Sequence, residues 1–177
     1  MADAGALDLS DLHERLLHVM REDLGLDACC VTLLTDDGNN LHHTVLFAAR
    51  ASDDDPADSS LKGAVGELDM LYTARDPATF ASQVIATGAP LVIDDMHKLT
   101  NGGHCPLMAA EGFCAYLGAP ITLGSGALGA AEALSRAPRT WSLEDKRKML
   151  SYARILSALL EDRMTVQPAA QDAPGTG

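Results

Sequence analysis

Apolar residues recur at steps of three and four over residues 8–24, where Leu9, Leu12, Leu16, Val19 and Met20 make one stripe. That period predicts a helix burying one side. Asp8 is placed to cap it and Gly25 to stop it. The pattern then changes. The runs ACCVTLLT (28–35) and LHHTVLFAAR (41–50) are rich in apolar and β-branched residues, and Asp36-Asp37-Gly38-Asn39-Asn40 lies between them. They are expected to be two strands of a hairpin.

Residues 51–62, ASDDDPADSSLK, break the pattern with an acid run, a proline and serines, and predict a surface loop. Residues 63–74 fit neither template clearly. A short helix is expected from Asp76, with Asp76 as cap, Pro77 at its first position, Phe80, Val84 and Ile85 facing inward, and Gly88 ending it. Pro90 then opens a short strand at 91–94. Residues 95–105 predict a loop, and residues 106–111 a helical turn ending at Gly112. FCAYLGAPITL (113–123) and ALGAAEALS (127–135) predict a second strand pair turning at Gly124-Ser125-Gly126. A long helix follows over residues 142–164, opened by Ser142-x-x-Asp145, which is close to a capping box. Met149, Ala153, Leu156, Leu160 and Met164 supply its stripe.

Hairpins imply antiparallel pairing, and helices at both ends can lie together on one face of the sheet. The expected class is therefore α+β, with most loops on the other face. The expected organisation is a tail over residues 1–7, one domain over 8–164 and a disordered, proline-bearing tail over 165–177.

The chain of 177 residues suits one domain with a real core. Its formal net charge of -12 speaks against a nucleic-acid partner and against docking on anionic lipid. No apolar run approaches a membrane span, and the acidic N-terminus is unlike a signal peptide, so a cytoplasmic setting is expected. Cys29, Cys30, Cys105 and Cys114 form neither a disulfide framework nor a C-x-x-C site. No P-loop, H-E-x-x-H, dinucleotide fingerprint or Ser-His-Asp order is present. Asp94 and Asp95 are adjacent at a strand end, so their side chains diverge, which disfavours an acid/base pair. His42 and His43 are adjacent on a strand and cannot chelate together. His97, His104, Cys105 and Cys114 carry metal-ligating atoms, but at no standard spacing.

Four strings occur in order: DPATFASQVIATGAPLVIDD (76–95), GFCAYLGAPI (112–121), GALGAAEALSRAPRTWSLED (126–145) and the closing helix. Together they resemble the GAF domain family, small-molecule sensor modules of signalling proteins. The resemblance runs from about Leu9 to Arg163. It implies a central antiparallel sheet of about six strands, terminal helices packed on one face, and a ligand pocket with loops and short helices on the other. It does not imply a particular ligand, because function lives in the site and not in the fold.

The residues fit the family's ligands unequally. The Asn-Lys-Phe-Asp-Glu set of its cyclic-nucleotide binders cannot be placed. Its bilin binders carry a Cys-His pair ahead of the strand at Gly112; here His104 stands eight residues before that glycine, preceded by Gly103 and followed by Cys105. A bilin thioether at the usual place is therefore not expected, and haem has no standard ligand framework. The cofactor is left unassigned. The family's free methionine sulfoxide reductases place a cysteine at the start of the mid-chain helix; ATFASQVIATG has none, which leaves Cys105 and Cys114 as a redox pair.

By resemblance to pigment-binding relatives, Cys114, Tyr116 and Gly118 face the pocket, while Phe113, Ala115, Leu117 and Ala119 face away. Tyr116 offers a phenol to a polar ligand group. Glu132 is the only charge in ALGAAEALS: facing inward it needs a partner and becomes a ligand contact, facing outward it is merely solvated. Phe80 and Met108 can add apolar walls, and Asp95, by resemblance, fixes the loop after its strand. The expected ligand-binding set is Phe80, Asp95, His104, Cys105, Met108, Cys114, Tyr116 and Glu132, with no catalytic or metal residues. The expected function is a non-catalytic sensor of an unidentified small molecule, acting in signal transduction through a partner protein. A homodimer through the terminal helices goes with it. The alternatives are a thiol reductase and a ligand-free interaction scaffold.

Overall fold

The computed structural model describes residues 9–47, 68–99 and 111–166, with side chains from residue 13 and again from 73, and up to 162. The elements are α1 (Leu9–Leu24), β1 (Ala28–Leu34), β2 (Asn40–Phe47), β3 (Leu68–Ala74), α2 (Phe80–Thr87), β4 (Leu91–Ile93), a 3-10 turn (Met96–Lys98), β5 (Ala115–Leu123), β6 (Gly126–Ser135) and α3 (Leu143–Val166). Six strands form one antiparallel sheet in the order β3-β2-β1-β6-β5-β4. The expected α+β class, sheet and placement of the terminal helices are what the structure shows.

The β1–β2 hairpin closes as its acidic turn suggests. The Asp37 carboxylate accepts from the Thr35 hydroxyl at 2.6 Å and from the Asn39 N–H at 3.0 Å, which holds the turn in register. That register sets Thr32 opposite His43. On its other edge β1 pairs with β6, which brings the first and last strands to the centre of the sheet.

One face of the sheet carries α1 and α3. Leu17, Met20 and Leu24 from α1 and Met149, Ala153 and Leu156 from α3 pack on Cys29, Val31, Leu117, Ala119, Ile121, Ala131 and Ala133. The small residues of β6 let the helices approach closely. The α1 stripe is rotated from the one expected: Leu17, Met20 and Leu24 are buried, whereas Val19 is 52% exposed. The α3 start is a reciprocal capping box, with each N–H of Ser142 and Asp145 donating to the other's side chain at 3.0 Å. Arg139 ties the layers together. Its guanidinium donates to the orphan carbonyls of Leu24 and Gly25 at the end of α1, pairs with Asp145, and stacks over Trp141.

The other face carries α2, packed on β4, β5 and β6. Phe80, Val84 and Ile85 are buried as expected, and Gly88 closes the helix at φ +60°, donating its N–H to Val84. The cap differs. Asp76 and Pro77 sit in a preceding turn, where the Asp76 carboxylate accepts from the Ala78 N–H at 2.8 Å; Thr79 is the N-cap, accepting from Ser82. A cap must sit one residue before the first helical residue, and that residue is Phe80. Phe113 is also displaced from its expected face. Strand β5 begins only at Ala115, so alternation does not reach Phe113, which packs in the α2-side cluster and stacks on Phe47 at 6.3 Å.

Residues 63–74 contain β3, an edge strand paired with β2. The expected loop at 51–62, the cap Asp8, most of the turn at 106–111 and the tail beyond Val166 lie outside the described residues.

Candidate functional site

Strand alternation gives the sheet two chemically different faces. Cys29, Val31, Leu117, Ala131 and Ala133 point to the α1–α3 layer. Their neighbours Cys30, Thr32, Tyr116 and Glu132 therefore point to the α2 side. Register then aligns them. Glu132 lies between Cys30 on β1 and Gly118 on β5, while Thr32 lies beside His43 on β2.

These side chains form a continuous buried polar chain across four strands and onto a fifth. The Tyr116 hydroxyl donates to Glu132 Oε1 at 3.0 Å, and the Thr32 hydroxyl bonds the other carboxyl oxygen. Thr32 Oγ1 is 2.8 Å from His43 Nδ1 and 3.5 Å from Cys30 Sγ. His43 Nε2 is 2.8 Å from the Thr73 hydroxyl on β3. Glu132 is 3% exposed, and Tyr116, Thr32 and Cys30 are fully buried.

Gly118 makes this geometry available. The Tyr116 ring lies across it, and a Cβ there would meet ring carbons at 2.8 Å. Only glycine leaves room for the phenol to lie flat and reach the carboxyl group on the next strand. Phe80, at the start of α2, covers the ring from above with centroids 5.0 Å apart.

The electrostatics follow from burial. Desolvation pushes the Glu132 pKa up, opposed by hydrogen bonds from Thr32, Tyr116 and Cys30. Desolvation, with the neighbouring His42 second, takes His43 down to about 4, so the imidazole is neutral at pH 7. The chain of bonds has two self-consistent polarities. With Glu132 ionised, Thr32 donates to it and accepts from His43 Nδ1–H. With Glu132 protonated, the carboxyl donates to Thr32, Thr32 donates to Nδ1, and Nε2–H donates to Thr73.

Of the residues expected to bind ligand, Phe80, Tyr116 and Glu132 are brought together here. Of the two placements open for Glu132, the structure shows the inward one. Cys114 is elsewhere: its thiol donates to the Arg136 carbonyl at 2.9 Å, and burial first, then Asp95 and Asp27, push its pKa up. Asp95 caps the 3-10 turn, accepting from the His97 N–H at 3.0 Å and pairing with Lys98 at 3.5 Å. With Asp94, Ile93 and Val92 it borders a shallow open depression. Asp94 instead meets the segment before α3, its carbonyl accepting from the Arg139 N–H at 2.9 Å. His104, Cys105 and Met108 lie outside the described residues.

Thr32, His43, Cys30 and Thr73 are not among the residues expected from the sequence to bind ligand. The signal was present for two of them. A hairpin closed around residues 36–40 sets Thr32 opposite His43, and a polar pair opposite one another in apolar strands marks a polar interior.

A family model for the GAF domain matches residues 8–160. The chain belongs to the GAF domain family. Its sheet and helical layers agree with GAF domains of known structure. The GAF domain of a phosphoenolpyruvate-protein phosphotransferase from Coxiella burnetii superposes with a TM-score of 0.68 at 15% identity, over 92% of this chain and 88% of that one. A methyl-accepting chemotaxis protein fragment gives 0.67 at 14% identity, over 93% and 95%. The free methionine-R-sulfoxide reductase of Neisseria meningitidis, solved with its substrate, gives 0.65 at 13% identity, over 93% and 84%. These are likenesses of fold. No curated protein matches the chain. Among the described residues of this GAF domain, no helix is long and apolar enough to cross a membrane.

Proposed function

We propose that this GAF domain is a ligand-responsive regulatory module that binds a small molecule on the α2 side of the sheet and acts through a partner protein. The observation that carries this reading is the buried chain running from Tyr116 and Glu132 through Thr32 to His43. A carboxyl group in a sheet interior costs several kcal/mol relative to an apolar residue unless it is satisfied, and perturbed buried titratable groups concentrate at functional sites. On β1, β5 and β6 the opposite face of the same sheet carries apolar side chains packed under α1 and α3. The likeness to domains of a chemotaxis protein and a phosphotransferase supports a role in signalling. Phe80, Tyr116 and Glu132 are the proposed contacts, joined by Thr32 and His43. The ligand would present a hydrogen-bond donor or positive charge to the carboxyl group. A net charge of -12 makes a nucleic acid a poor partner.

The reductase reading has less behind it. A thiol nucleophile needs a lowered pKa and access. Cys29, Cys30 and Cys114 are all buried; Cys29 donates to the Leu17 carbonyl at 3.2 Å and is pushed up to about 12 by burial, and Cys114 is shifted upward. That reading therefore passes to Cys105.

A thermal-shift screen of compact metabolites, run with chelator on the wild type and on Glu132→Gln, tests the proposal. At a hundredfold excess over Kd a ligand adds about 2.7 kcal/mol, which raises Tm by roughly 5–10 °C for a domain of this size. The expected result is at least one such ligand whose effect is lost in the folded variant. Ligands that stabilise both proteins equally, or a panel with no hit at millimolar concentration, would contradict it.

A homodimer through the terminal helices belongs to the same proposal. The outer side of that layer carries Val19 and Ile155, 52% and 45% exposed. Light scattering is expected to give the mass of two chains, falling to one in Ile155→Glu. One chain at high concentration in the wild type would count against the dimer.

A further inference from the structure

We propose that Cys30, His43 and Glu132 form a binding site for a first-row divalent ion of the zinc class, on the α2 side of the Thr32 hydroxyl. The inference rests on the reading of this face as a binding site and names a chemistry for it. The ligating atoms of the three residues all lie within 4.8 Å of one another, and all three residues are buried. They come from three adjacent strands, β2, β1 and β6, whose register is fixed by continuous pairing. Donors around a tetrahedral zinc ion with ordinary bond lengths sit roughly 3.3–3.8 Å apart. Closing the triangle therefore needs shifts of no more than about 1.5 Å at side-chain ends.

The hub is already defined. Thr32 Oγ1 touches all three donors, at 2.8 Å from His43 Nδ1, at 3.5 Å from Cys30 Sγ and in a hydrogen bond with Glu132 Oε2. The ion would lie beyond that point on the α2 side, because Thr32 Cβ stays one bond length from it in every rotamer, and the three donors would turn from the hydroxyl to the ion. Thiolate, imidazole and carboxylate together are the donor set that suits zinc, cobalt and nickel, and not calcium or magnesium, which take oxygen ligands.

Two neighbours orient the donors as metal sites require. The Thr73 hydroxyl lies 2.8 Å from His43 Nε2, where it can accept the Nε2–H and leave the Nδ1 lone pair aimed at the hub. Tyr116 donates to Glu132 Oε1 and leaves Oε2 on the hub side. Charge also closes: one thiolate and one carboxylate balance a dication, so the occupied cluster is neutral inside a low-dielectric sheet. As the ion binds, the Cys30 S–H bond breaks and its proton goes to solvent, as does any proton held by Glu132; no electron is transferred. Three protein donors leave a fourth position for water or a small ligand.

The test is a cobalt titration of the full chain after treatment with chelator. The expected result is one Co2+ per chain with a thiolate-to-cobalt charge-transfer band and the visible bands of a tetrahedral ion, all displaced by Zn2+. Cys30→Ala is expected to lose the charge-transfer band and bind at least 100-fold more weakly. Glu132→Gln, which keeps the shape of the site, is expected to keep the band and bind at least 10-fold more weakly. Cys29→Ala, altered on the opposite face of the same strand, is expected to match the wild type. No band up to millimolar cobalt, or a band that survives Cys30→Ala, overturns the metal site. If cobalt does not bind but a small molecule still stabilises the chelated protein through Glu132, the metal site alone falls. If neither binds, the proposed function falls with it.

Discussion

Gly129→Ala is expected to destabilise the domain by about 3 kcal/mol, at the upper end of what overpacking ordinarily costs. Gly129 lies in β6 opposite Leu33 on β1 and Ile121 on β5, in the middle of the sheet. A Cβ at this position would press directly against the backbone carbonyl of Thr32 and stand 2.7 Å from Leu33 Cδ2. The leucine end can turn aside, but the carbonyl cannot move without displacing β1. Thr32 is also the hub of the polar chain, so the displacement would reach Glu132 and His43. The variant should thus lose ligand response as well as stability. Gly126→Ala is the control: it begins the same strand, and a Cβ there meets nothing within 4 Å. Its unfolding free energy from urea melts is expected to fall within about 0.5 kcal/mol of the wild type. Equal midpoints for the two variants would contradict the β1–β6 register on which the site depends.

The second large effect concerns pH, and its sign differs between the two buried titratable groups. His43 is held down to about 4, whereas an unfolded histidine titrates near 6.5. Between those values the unfolded chain binds a proton that the native state does not. Stability is therefore lost as pH falls through that window, by roughly 2 kcal/mol after allowance for solvent screening. Glu132 behaves oppositely. Its native pKa is raised by burial, so the contribution is fully present below the unfolded value, near 4.3, and is lost as pH rises through the native one. In the wild type the two slopes oppose each other over the mildly acid range. Glu132→Gln removes one of them. Urea melts of the metal-free proteins from pH 7 to 4.5 should show the variant losing stability more steeply than the wild type. Parallel curves would mean that Glu132 titrates as an ordinary surface carboxylate.

The sequence made the scaffold legible where periodicity and turn chemistry agreed. The β1–β2 hairpin, the β5–β6 hairpin, the Gly88 stop and the Ser142–Asp145 box could all be read from residues whose local physics has one solution. Where several solutions exist, reading failed. Thr79 and Asp76 are both good caps three residues apart, and only packing of Phe80 decides between them. Val19 and Leu17 both continue a helical stripe, and only the sheet below decides which is buried. Strand β3 is held by its pairing with β2 and showed no strong pattern of its own.

The site was legible in part for the same reason. Tyr116 and Glu132 stood out as polar groups in small-residue strands. Thr32 and His43 did not, because their meaning comes from pairing between strands: neither is unusual in its own segment. Cys30 gains its interest only from lying opposite Glu132 across the β1–β6 junction, a contact between residues about a hundred positions apart in the chain.

The central claim is that the α2-side polar chain is where this GAF domain receives its ligand. The most direct measurement is amide chemical-shift mapping of the strongest ligand found in the thermal-shift screen. The account expects shifts at Cys30, Thr32, His43, Tyr116 and Glu132, and at Phe80 above them, with the α1–α3 layer unmoved. Shifts confined to that helical layer, or to the depression from Val92 to Leu99, with the polar chain unperturbed, would contradict it.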